Sequence, residues 1–145
     1  MKERFETFTV LINRISRNIR KIKNQEMAEY NLRSAHVSCL YYLYSSNGLT
    51  ATELCERCEE DKATISRALE YLEINGFITR DVERYKSPIL LTAKGFEAGK
   101  KIADKINGVL DRISVGLTEA ERVAFYRSLS IISESLDAVS KNGEK

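Results

Sequence analysis

Apolar residues recur along this chain at intervals that place them on one side of a helix. Phe5, Phe8, Ile12, Ile15, Ile19 and Ile22 alternate steps of three and four, which makes an a/d seam on a single long helix. The spacing predicts that helix from about Glu3 to Glu29. No second seam follows closely, so its partner lies far away in sequence or in another chain. A matching seam near the other end comprises Phe125, Leu129, Ile132, Leu136 and Val139. Between the seams the elements are shorter. Ser34 is expected to cap a second helix whose inner side holds Val37, Leu40, Tyr41 and Tyr44, with Asn47-Gly48 ending it. Thr50 and Glu53 fit a capping box that opens a third helix to about Cys58. Asp61 is expected to cap a fourth, Lys62 to Asn75, with Ile65, Ala68, Leu69 and Leu72 inward. Phe77–Thr79 and Ile89–Leu91 predict two strands flanking a polar hairpin of residues 81–88. Thr92 starts a fifth helix, carrying Phe96, Ile102, Ile106, Val109, Leu110 and Ile113. A second capping box, Thr118 to Glu121, starts the last.

The predicted fold class is mainly α with a small β-hairpin. The 145 residues suffice for one domain, and 43% of them are hydrophobic, enough for a packed core. The longest uninterrupted apolar run is Leu40 to Tyr44, too short to span a bilayer. The first residues carry charge without an apolar signal core, so a cytoplasmic location and no membrane partner are expected. A single histidine, no nucleotide loop and no paired carboxylates at a mapped site argue against an enzyme, and no cofactor or metal is expected. Charge is uneven. Residues 1–33 hold eight basic and four acidic groups, a net of +4, and residues 50–95 hold seven and nine, a net of −2. An imbalance this small does not select a partner.

The order of elements in the middle of the chain does select one. Helix, short helix, turn, helix and hairpin is the order of a winged helix-turn-helix. A helix of this width enters the DNA major groove with its outward side chains at base edges. Turning Ile65 and Leu72 inward turns Ala63, Arg67 and Glu70 outward, with Thr64, Ser66 and Tyr71 on the flanks. Arg67 can bond guanine bidentately, Glu70 can accept from a cytosine amine, and Thr64 can reach a base or phosphate. Arg84, Tyr85 and Lys86 stand near the hairpin tip, where a cation can grip phosphate or enter the minor groove. With Lys62, these ten residues are the expected DNA-contacting set.

The text of the middle segment resembles the MarR family of winged-helix transcription regulators. The residues that carry the resemblance are L-T-A-T-E-L at 49–54, K-A-T-I-S-R-A-L-E-Y-L-E-I-N-G-F-I-T-R at 62–80 and L-T-A-K-G at 91–95. L-T-E-A-E at 117–121 is similar to the start of that family's final helix. The resemblance implies a single MarR-like domain over 1–145, with residues 34–95 as the DNA-binding region and residues 1–32 and 96–145 as dimerisation helices. It implies a homodimer on a pseudo-palindromic double-stranded DNA operator, usually as a repressor, often released by a small-molecule effector or an oxidant. Phe5, Phe8, Ile12, Ile15, Phe125, Leu129, Ile132 and Leu136 would then form the dimer interface. The family's effector crevice lies near the second helix, which makes His36, Cys39, Leu40 and Tyr44 the expected ligand pocket.

Three features depart from the family pattern. The winged segment is net acidic, Glu59-Glu60-Asp61 precedes the recognition helix, and Glu70 puts an anion on the reading face. The wing is also short, with only Glu83-Arg84 matching the usual acidic-then-arginine tip. They motivate an alternative, a winged-helix module that binds protein rather than specific DNA. Cys55-Glu56-Arg57-Cys58 is a C-x-x-C on a predicted helix. It is one knuckle where zinc generally takes two, so ordinary packing is favoured over a metal half-site or a redox pair.

Overall fold

Capping chemistry sets most element boundaries in the computed structural model, which describes residues 3–46, 48–81 and 86–143. The elements are α1 (Arg4–Glu26), a 3-10 turn (Ala28–Tyr30), α2 (Ser34–Ser45), α3 (Ala51–Cys58), α4 (Lys62–Ile74), β1 (Ile78–Thr79), β2 (Leu90–Leu91), α5 (Ala93–Ile113) and α6 (Glu119–Gly143). Thr118 and Glu121 form a complete capping box: the Glu121 amide donates to the Thr118 hydroxyl oxygen at 3.1 Å, and the Thr118 amide to the Glu121 carboxylate at 2.9 Å. Thr50 makes half of one. It accepts from the Glu53 amide at 3.2 Å, while its own hydroxyl donates to the Glu53 carboxylate at 3.1 Å. Thr92 accepts from the Gly95 amide at 3.1 Å and donates to the Gly76 carbonyl at 2.6 Å, fastening the start of α5 to the end of α4.

Two boundaries differ from the sequence expectation. Ser34 is the first residue of α2 rather than its cap. The Ser34 amide donates to Asn24 Oδ1 of α1 at 2.6 Å, and the Arg33 amide to His36 Nδ1 at 3.0 Å, so side chains elsewhere satisfy the free donors of that helix end. The first helix stops at Glu26, three residues early. The chain there passes into the 3-10 turn and leaves it through Asn31 in the left-handed region (φ 58°). Asn47, the other half of the expected stop after α2, lies outside the described residues. Gly48 beside it has φ 72°, which suits glycine.

The chain divides into two compact units, Met1–Lys105 and Ile106–Lys145. In the first, α2 packs against α1, α3, α4 and β2. Leu40, Leu54, Leu69 and Leu72 are at most 1% exposed. Each contributes roughly 1.5–3 kcal/mol by leaving water. The strands pair antiparallel with Ile78 opposite Leu91 and Thr79 opposite Leu90. The Ile89 amide adds a bond to the Leu49 carbonyl at 2.8 Å, tying the wing to the segment that enters α3. The start of α5 comes very close to its neighbours. A methyl group on Gly95 would overlap the Phe77 carbonyl, and one on Gly99 would meet Tyr44 Cβ at 2.6 Å. Further along, Lys101 donates to the Tyr30 hydroxyl at 2.8 Å and Lys105 to the Glu26 carbonyl at 2.7 Å.

The second unit comprises the end of α5 and α6. The described residues of α6 are all exposed, its apolar ones included. Among the described residues no helix is long and apolar enough to cross a membrane.

Candidate nucleic-acid interface

Helices α3 and α4 meet at a sharp turn made by Glu59 in the left-handed region (φ 54°). Asp61 then caps α4, accepting from the Thr64 amide at 2.7 Å. Hydrogen bonds from the Thr64 amide and hydroxyl, with Arg67 nearby, hold the Asp61 carboxyl below the usual carboxylate range. Glu60 is engaged as well, lying 3.6 Å from Arg20 of α1. Two of the three acids before α4 therefore have partners within the fold.

Burial on α4 follows the predicted face. Ile65, Ala68, Leu69 and Leu72 point into the core. Lys62, Ala63, Ser66, Arg67 and Glu70 are exposed together, and Thr64 is half-buried beside them. Arg67 Nη2 lies 3.5 Å from Thr64 Oγ1, so its guanidinium stands over the first turn of the helix. Tyr71 is placed differently from these. Its ring stacks on His36 at 4.3 Å between centroids, and its hydroxyl donates to the Asn31 carbonyl at 2.8 Å. It braces α4 against the start of α2. Arg84 and Tyr85 of the hairpin tip lie outside the described residues. Lys86 is exposed and has φ 62°. At the wing base, Arg80 Nη2 reaches Glu73 Oε1 at 3.4 Å, a contact the sequence did not signal.

The four residues expected to form a pocket all lie on α2. Cys39 and Leu40 are fully buried. His36 is half-buried beneath Tyr71, and burial, with Arg33 close by, lowers its pKa, favouring the neutral ring. Tyr44 packs its ring 5.2 Å from that of Phe96. Cys55 and Cys58 are half-buried free thiols. Among the described residues no group of three or more His, Cys, Asp or Glu side chains is arranged to hold a metal ion. Of the seam residues, Phe5 is 78% exposed and Leu136 52%.

Helix, turn, capped helix and short antiparallel hairpin, packed on one core, define a winged helix-turn-helix protein. Residues 30–84 match the sequence model of the MarR family. The chain's winged-helix segment belongs to that family, and the chain has the fold of its transcription regulators. A MarR-family transcriptional regulator from Silicibacter pomeroyi is 28% identical, with a TM-score of 0.75 over 84% of each chain. MepR of S. aureus, solved in complex with DNA, is 22% identical, with a TM-score of 0.79 over 89% of this chain and 97% of its own. A MarR-family protein from Bacillus stearothermophilus is 21% identical, with a TM-score of 0.74 over 94% and 99%. No curated protein matches the sequence.

Proposed function

We propose that this chain is a homodimeric transcriptional repressor that binds a pseudo-palindromic double-stranded DNA operator and is released by a small-molecule ligand or an oxidant. One observation carries the reading: α4 buries one stripe completely and presents Lys62, Ala63, Ser66 and Arg67 together at the surface, directly after a capped turn. Such a face has hydrogen-bond donors but no internal use for most of them, and it fits the major groove. Similarity to a MarR-family protein solved on DNA supports the same assignment. Arg67, Thr64 and Ser66 would read bases. Lys86, with Arg84 and Tyr85, would serve the wing contact. The exposed seams of α1 and α6 would be covered by a second copy, which sets two recognition helices roughly 10 base pairs apart on the operator. The chain acts by binding rather than by turnover, in a cytoplasmic setting.

Selection of bound fragments from the source genome tests this directly. The expected outcome is a small set of fragments sharing an inverted repeat and retained against non-specific competitor at physiological salt. Recovery of no competition-resistant fragment would instead favour a winged-helix module that binds protein. The pairing of Glu60 with Arg20 and of Asp61 with the start of α4 weakens that alternative. These acids are accounted for without an external basic partner.

A further inference from the structure

Cys39 of α2 and Cys58, the last residue of α3, are neighbours across the packed faces of the two helices. The Cys39 thiol donates a hydrogen bond to the Cys58 sulfur. Cys39 is fully buried, while Cys58 is half-buried and open to a small solute. Lys23 of α1 completes the cluster. Its ammonium donates to Ser38 Oγ at 3.0 Å and interacts with Cys58. The Cys39 hydrogen bond, aided by Lys23, brings the Cys58 thiol below its usual range, although burial and Glu60 work against this. The same hydrogen bond and burial push the Cys39 thiol up. Cys55, one turn before Cys58, is held differently, with its thiol directed at the Glu60 carbonyl at 3.7 Å.

We infer that Cys58 and Cys39 form a peroxide-oxidisable dithiol, in which Cys58 attacks and Cys39 resolves. The ligand class is a hydroperoxide, and the thiol chemistry does not depend on DNA binding. The Cys58 thiolate attacks one peroxide oxygen, the O–O bond breaks, and the departing oxygen takes a proton to leave as water or an alcohol. Cys58 becomes a sulfenic acid, oxidised by two electrons. The Cys39 sulfur then attacks the Cys58 sulfur, the S–O bond breaks, and the hydroxide leaving group takes the Cys39 proton to form a second water. The product is one disulfide between α2 and the end of α3. The pairing differs from the one the C-x-x-C spacing suggests, because the sequence cannot place Cys39 beside Cys58.

The test is peptide mapping of the reduced full-length chain after brief exposure to hydrogen peroxide and blocking of free thiols. The expected product links Cys39 to Cys58 and leaves Cys55 blocked. In Cys39→Ala the sulfenic acid has no resolving partner, so Cys58 is expected to add dimedone. Cys55→Ser should react as the parent chain does, and Lys23→Met about three- to tenfold more slowly. A Cys55–Cys58 disulfide, or equal oxidation rates at Cys55 and Cys58, overturns the proposal. The map of the unsubstituted chain decides between these even where Cys39→Ala fails to fold.

Discussion

Helices α4 and α6 carry apolar stripes of the same spacing, but Ile65, Leu69 and Leu72 of α4 are at most 2% exposed whereas Phe125, Leu129, Ile132 and Leu136 of α6 are 38–52% exposed. The stripe of α4 is met by α2 and α3, elements within a few tens of residues. That of α6, like the stripe of α1, remains at the surface of the single chain. Periodicity thus specifies that a helix has a face to bury and says nothing of what buries it. Large apolar side chains gathered on one exposed helix face mark an interaction surface, whereas the same residues inside the winged unit supply its stability.

The contrast can be broken most severely at its buried end. Leu72→Ala should destabilise the winged unit by about 2–5 kcal/mol, seen as a lower urea midpoint that does not depend on protein concentration. Leu136→Asp tests the exposed end. It should cost roughly 2–4 kcal/mol of association free energy, read by sedimentation as a shift from dimer to monomer, while the urea midpoint of the dilute chain stays near the parent value. A stability loss at Leu136 that is equal at every concentration would erase the distinction between the two stripes. On the polar side of α4, Arg67→Ala should weaken operator binding by about 1–3 kcal/mol and relax preference at one base position. Uniform loss on all sequences would make Arg67 a phosphate contact.

The smallest effect concerns the cap that starts α4. The folded-state pKa of Asp61 lies below its unfolded value. Its charge-linked contribution is therefore complete above the unfolded carboxylate pKa of about 3.9 and is lost as pH falls through the folded one. Asp61→Asn should flatten the acid side of a stability–pH curve between neutral pH and the acid transition.

What was legible in the sequence was local. Thr50, Asp61, Thr92 and Thr118 announce helix starts because a short oxygen-bearing side chain satisfies an amide two or three residues on. All four do so. The inward stripe of α4 was equally legible, since one turn of helix fixes which residues share a face. What failed to show depends on contacts distant along the chain. The start of α2 is held by Asn24, ten residues before Ser34. Tyr71 sits on a helix flank by periodicity, yet its partner Asn31 is forty residues away. The hydrogen bond from the Ile89 amide to Leu49 likewise joins segments with no pattern in common.

Gly95 and Gly99 lie one turn apart on α5, the first against the Phe77 carbonyl and the second against Tyr44. At both points helix backbone lies directly on its neighbour, with no side chain to act as a cushion. The opening turns of α5 are thus keyed to the wing base and to α2 like a shaft held at two bearings. A tilt of that shaft cannot be absorbed by rotamer changes at either glycine. It has to drag β2 and the end of α2 along, or lift both bearings at once.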